Sequence, residues 1–291
     1  TFFFFGWWIY LSMYNGLSPD FAAGAAGVPW GASMGPNLAD NASGVFWAAF
    51  AMFSATTASI MSGAVIERIR ISGFIMLAIL LGSGVWILAA SWGWHPTGWL
   101  TTKFGFHDTA AAGCVHMIAG WFTLAVVINL GPRLGKFNAD GSANDLPGHS
   151  MPMTTIGLMM IIVGFFGFLG GCIIYKTGAQ WVTIYNTPAT LSAFAFNTLM
   201  GFAGGVIGAF VISKGNPFWM MSGGLAGIVS VAPGLELYYP PLAFVIALVG
   251  GGVIKPLGDI IERRFKLDDA VGAFAVHAGS GTWGIIALGI F

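Results

Sequence analysis

Residues 108–116 read DTAAAGCVH, and residues 269–277 read DAVGAFAVH. In both, an aspartate stands eight positions before a histidine and the residues between are small or apolar. Each runs on into an apolar stretch, MIAGWFTLAVVINLG after the first and AGSGTWGIIALGIF after the second. One chain thus twice sets an imidazole inside an apolar helix, behind a carboxylate.

The surrounding composition says what kind of helix this is. Of 291 residues, 56% are hydrophobic and 8% are charged, where a soluble domain carries about a quarter charged residues. The apolar segments are long enough for spanning helices rather than barrel strands. The 44 glycines would argue against helix in water, but in lipid small residues let helices approach closely. The net charge of zero suggests no nucleic-acid partner. Cys114 and Cys172 both fall in apolar segments expected to be helical, so a disulfide framework is not expected. The chain opens and closes inside apolar segments, TFFFFGWWIYLSMY and GTWGIIALGIF, and is read as a fragment or the ordered part of a longer protein.

Spans are expected near 1–16 (the end of a helix), 44–66, 71–94, 109–131, 153–175, 188–213, 217–233, 239–261 and 270–291, with a long loop at 17–43 that carries no Lys or Arg. Alternate connections hold Arg68 and Arg70, Arg133 and Lys136, Lys214, then Lys255, Arg263, Arg264 and Lys266; the opposite ones hold only Lys103 and Lys176. Nine basic residues against two put the first set in the cytoplasm. Trp92, Trp94 and Trp99 then fall at the outer interface, where Trp is favoured, and the acidic loop APGLELYYPP also lies outside.

In this orientation the span after Asp108 runs inward and the span after Asp269 runs outward. Eight helical residues rise about 12 Å, against roughly 15 Å for half the hydrocarbon core. His116 and His277 are therefore expected near the midplane, reached from opposite faces. Each is followed four positions later by glycine, Gly120 and Gly281. Arginine-bearing loops, ERIR at 67–70 and ERRFK at 262–266, occur in both halves. Internal similarity of opposite topology marks an inverted-repeat transporter with its site at the repeat interface. A lone intramembrane histidine could serve packing alone, but ionisable groups in lipid are functional by default, and two at one depth strengthen that reading. His95, His107 and His149 sit at span ends or in the loop 132–152 and are read as solvated or interfacial.

The segments GAVIERIRIS at 63–72, WGWHPTGWL at 92–100, D-x7-VH at 108–116, VGFFGF at 163–168, SGGLAGIVSVAPG at 222–234 and LDDAVGAFAVHAGSGTWGIIALGIF at 267–291 together resemble the ammonium transporter (Amt/Mep/Rh) family. The resemblance implies an all-α polytopic membrane bundle with an inverted repeat, of about eleven helices in full length and about nine here, with residues 1–291 forming one transmembrane domain that lacks the first and last helices. It implies a homotrimer with a pore in each protomer. It matches Trp94 to the aromatic of an outer recruitment site, Phe53 and Phe168 to a stacked phenylalanine gate, His116 and His277 to the pore histidines, and Asp108 to a structural aspartate near the outer site. The pattern departs in one place. GFN-x-G-S becomes GFLGGC here, so Cys172, a weak acceptor, replaces the serine that hydrogen-bonds the cation, and Leu169 replaces the asparagine. The outer site is expected to lean more on Trp94.

The function implied is ammonium transport across the cell's inner (plasma) membrane. An aromatic face attracts the cation, a proton is released before the apolar pore because a bare cation at the midplane is costly, and ammonia passes the two imidazoles. Potassium has no proton to release. The alternatives are an ammonium sensor that controls a cytoplasmic signalling domain and an Rh-type neutral gas channel. A PII-type regulatory protein or a fused signalling domain is a possible cytoplasmic partner. No nucleotide-binding loop, metal-ligand cluster or nucleophilic triad is present, so neither enzyme activity nor a cofactor or metal is expected.

Overall fold

The computed structural model describes residues 1–31, 42–176, 178 and 180–291. The expected loop at 17–43 therefore lies in part, at residues 32–41, outside the described residues. The helices are α1 (Phe2–Ser12), α2 (Phe21–Ala25), α3 (Ala42–Val65), α4 (Ile71–Gly93), α5 (Trp99–Phe104), α6 (Ala112–Leu130), α7 (Met151–Gly170), α8 (Leu191–Ser213), α9 (Pro217–Val231), α10 (Pro240–Arg264) and α11 (Phe274–Ile290). Six of them, α3, α4, α6, α7, α8 and α10, are long and apolar enough to cross a membrane. Exposed rows of large apolar side chains such as Met153, Met159, Met160 and Val163 on α7 suit contact with lipid rather than water.

Helix starts follow local chemistry. Asp20, Ser150, Thr190 and Asn216 each accept a backbone N–H from the first turn of the helix they precede, satisfying donors that would otherwise be orphaned. The tightest packing is among α8, α9 and α10, and it depends on glycine. A Cβ on Gly205 would sit 2.1 Å from the Gly223 carbonyl oxygen, and one on Gly251 would sit 2.1 Å from that of Gly205. Backbones this close leave no room for a larger residue.

The loops expected to share a side do touch. Arg68 and Arg133 both bind Asp268, at 3.2 and 2.9 Å, Arg133 also reaches Glu67 at 3.2 Å, and Lys136 binds Glu262 at 2.7 Å. At the opposite end the Trp92 indole donates to the Met13 carbonyl, and the Thr109 N–H to that of Pro233.

Three expectations need correction. The span expected at 153–175 ends as a helix at Gly170, and beyond it β1 (Ile173–Lys176), β2 (Gln180–Thr183) and β3 (Pro188–Ala189) form a small antiparallel sheet in that order. The reason is local, since IIYK and QWVT are β-branched and aromatic and pair as a hairpin, Ile173 opposite Thr183 and Lys176 opposite Gln180. Cys172 consequently lies past the end of α7 rather than within a helix. The helices bearing the histidines also begin later than the aspartates, at Ala112 and Phe274, so each histidine stands within the first five residues of its helix and not eight residues inside.

Candidate functional site: a buried aromatic and histidine column

The two repeats build the same device from the backbone up. The residue three positions after each aspartate is left-handed, Ala111 with φ 83° and Gly272 with φ 69°, which turns the chain sharply into the helix. The aspartate side chain then reaches over this corner. Asp108 accepts the N–H groups of Ala112, Gly113 and Cys114, each at 2.8 Å, and Asp269 accepts those of Ala273 and Phe274 at 2.9 and 2.7 Å. Each helix opens with a π turn across its histidine, Ala112–Met117 and Phe274–Gly279, a feature common at functional positions. The D-x7-H spacing is therefore a cap, a corner and a turn. Asp108 is fully buried and holds backbone.

His116 and His277 meet Nδ1 to Nδ1 at 3.1 Å, with rings nearly parallel at 9° and centroids 5.1 Å apart. That contact needs one proton between the two nitrogens, so one ring donates and the other accepts. The glycines four positions on make the approach possible. A Cβ on Gly120 would lie 2.3 Å from the Ala278 nitrogen, and one on Gly281 would lie 2.7 Å from the Ala112 carbonyl oxygen. Each glycine thus meets the opposite helix beside the opposite histidine.

Toward the outer end, Phe168 lies 5.7 Å from His116, Phe53 lies 4.6 Å from Phe168, and Trp94 lies 5.4 Å from Phe53, all between ring centroids. The phenylalanine pair is edge-to-face at 64° rather than stacked, the arrangement the ring quadrupoles favour. Trp94 is 0% exposed, so it is no interface anchor. Its indole donates to the Asp108 carbonyl at 2.6 Å, and its own carbonyl accepts from the Tyr10 hydroxyl at 3.2 Å. The Cys172 thiol is buried and turns to the Phe168 carbonyl at 3.7 Å. Both cysteines are free.

The histidines also border a cavity of about 1240 Å³. Its wall includes both histidines, Phe165 and Phe168, and at its far end Glu67, Arg133 and His149 from the basic loops. The histidines and Phe168 thus belong both to the column of rings and to the wall of the cavity.

The chain matches the Ammonium Transporter Family along residues 1–291. It belongs to that family. As an Amt/Mep/Rh member it is 33% identical to the ammonium transporter Amt2 of Archaeoglobus fulgidus over 84% of this chain and 53% of that protein. It is 32% identical to Amt1 of Methanocaldococcus jannaschii over 85% of this chain and 60% of that protein. The family chain thus spans 53–60% of the length of these curated relatives, which are named as transporters and not as enzymes. Among solved structures it superposes on one titled Sensor Amt Protein with a TM-score of 0.81 and 29% identity, covering 100% of this chain and 70% of that one.

Several residues of this family member's outer end were not singled out in the sequence. Phe50 packs 5.3 Å from Trp94, and Tyr185, from the turn after β2, donates its hydroxyl to the Gly93 carbonyl at 2.8 Å. Neither stands out among 25 Phe and 6 Tyr. His107, read as solvated or interfacial, is partly exposed and also lies 2.8 Å from Glu236 and stacks on Tyr185 at 4.6 Å. No group of three or more His, Cys, Asp or Glu suited to a metal occurs among the described residues.

Proposed function

We propose that this chain is the single transmembrane conducting domain of an ammonium transporter in the cell's plasma membrane. The observation that carries the reading is the His116–His277 contact at 3.1 Å, set between a column of aromatic rings and a cavity open toward the basic loops. The outer rings draw in ammonium through the Trp94 face, because a cation over a desolvated indole gains about 2 kcal/mol. A bare cation inside an apolar conduit is costly, so the proton leaves before Phe53 and Phe168 and ammonia moves on alone. The imidazole pair receives it as a neutral donor and acceptor, and the cavity leads to the cytoplasm. Size cannot separate ammonium from potassium, but loss of a proton can.

The test is ammonium-evoked current in proteoliposomes. The parent should conduct ammonium and not potassium. Trp94→Leu should lower apparent affinity, and His116→Ala should alter conduction or its selectivity. Conduction unchanged in both variants would defeat the reading.

A second reading, an ammonium sensor in which this domain drives a cytoplasmic signalling module, is favoured by the likeness to the Sensor Amt Protein along the whole chain and by Cys172 in place of a hydroxyl. It predicts ammonium binding without sustained current. Conduction of ammonia with no dependence on charge would instead favour the neutral Rh-type channel.

Assembly is proposed as a homotrimer with one pore per protomer, because both histidines come from one chain and a complete site needs no neighbour. A mixed oligomer in which one His116→Ala protomer silenced its neighbours would overturn this.

A further inference from the structure

The outer connection between α9 and α10 carries a carboxylate that the conduction reading does not use. The Glu236 side chain is 1% exposed. Its Oε1 accepts from the Thr109 hydroxyl at 2.5 Å and lies 2.8 Å from His107 Nε2. Its Oε2 is buried without a partner, and so is the hydroxyl of Tyr238, two residues on. An ionised carboxylate has about four lone-pair sites, and a bare buried one is costly and rare in native proteins.

This loop is held firmly. Thr109 and Ala110 donate their N–H groups to the carbonyls of Pro233 and Ala232 at 3.0 and 3.1 Å. The Asn197 amide donates to the carbonyls of Leu235 and Tyr238, both at 2.8 Å. The segment 107–109 that carries Glu236's partners also carries the Asp108 carbonyl that receives the Trp94 indole. Glu236 and Trp94 are therefore fixed against the same three residues. Burial, and then the charges of Asp108 and Glu236, push the Cys172 thiol upward. The Tyr238 phenol is pushed upward by burial, and then by the charges of Glu236 and Asp108, so its hydroxyl stays neutral.

We propose that Glu236 is a specificity-determining residue of the outer site, its Oε2 and the Tyr238 hydroxyl accepting N–H bonds from the ammonium ion that Trp94 attracts, in place of the hydroxyl missing at Cys172. The inference rests on the reading of this chain as an ammonium-binding membrane protein. A charged acceptor is stronger than the hydroxyl it replaces. Two fixed oxygens suit a cation that brings its own N–H donors, whereas a dehydrated potassium ion needs a full shell of oxygens.

The test uses the purified whole chain in nanodiscs, titrated with ammonium chloride and with potassium chloride at constant ionic strength, read by calorimetry and thermal unfolding. The parent should bind ammonium and not potassium. Glu236→Gln and Tyr238→Phe should each weaken ammonium binding about tenfold or more, the loss of one charge-assisted bond. Tyr238→Phe should leave the unliganded Tm unchanged, since its hydroxyl has no partner to lose, and it decides the matter if Glu236→Gln does not fold. Binding that is lost in Trp94→Leu but unchanged in Tyr238→Phe and in folded Glu236→Gln would overturn this inference alone. A parent that binds no ammonium would overturn both it and the reading beneath it. Equal binding of potassium would overturn the specificity role.

Discussion

Gly120 lies directly against the backbone of Ala278, where a Cβ would come within 2.3 Å of the amide nitrogen. Ala278 follows His277, and Gly120 is one helical turn past His116, so α6 and α11 press together beside the place where their imidazoles meet. Gly281 makes the reciprocal contact with Ala112. The separation of the two imidazoles is set by glycine, not by the histidines themselves.

Gly120→Val should therefore force α6 from α11. The clash is with backbone and cannot be relieved by a rotamer change. Overpacking of this kind costs about 1–3 kcal/mol. A lower unfolding temperature together with altered ammonium conduction is expected, and a variant with parental stability and conduction would show that the helices have slack.

Ala111 holds the left-handed corner that Gly272 holds in the other repeat. A residue with a Cβ is strained there by about 1–2 kcal/mol, and glycine is not. Ala111→Gly should leave conduction intact and should stabilise by a few tenths to about 1 kcal/mol, part of the relief being offset by greater freedom in the unfolded chain. Thermal unfolding measures it. Clear destabilisation would mean that the Ala111 methyl packs more usefully than its backbone strain costs.

Asp268 ties together two arginine-bearing loops through Arg68 and Arg133. Burial by itself would raise its pKa, but bonds from Arg133 and the charges of Arg133 and Arg68 outweigh it and hold the carboxyl below its ordinary value. A depressed folded pKa contributes stability above the unfolded value of about 3.9, and that stability is lost as pH falls through the folded one. Asp268→Asn should be less stable than the parent at neutral pH, by about 1.5–3 kcal/mol for hydrogen bonds to a charged group. The gap should narrow as pH falls below about 4. A gap that stays constant with pH would contradict the ion-pair account.

Cys172→Ser restores a hydroxyl beside the Phe168 carbonyl. Ammonium affinity should rise about tenfold, the worth of one hydrogen bond of about 1.4 kcal/mol. Calorimetric titration of the two proteins reads this directly, and equal affinities would remove Cys172 from the outer site.

Much of this architecture was legible in the residues alone. Apolar runs place the long helices, because burial in lipid acts on each segment by itself. The β-hairpin at 173–183 was missed, although its β-branched and aromatic residues carried the signal, because apolar runs flank it on both sides and length alone favours helix. The paired D-x7-H motifs were visible too, but their meaning was not. A spacing counts residues and cannot say that a carboxylate reaches over a left-handed corner to start the helix late. Nor could it show that Glu236 comes to rest between His107 and Thr109, more than a hundred positions away in the chain. Those contacts join residues that no local preference relates. They exist only once the packed helices set residues 107–110 against the loop after α9, where Thr109 and Ala110 bond the carbonyls of Pro233 and Ala232.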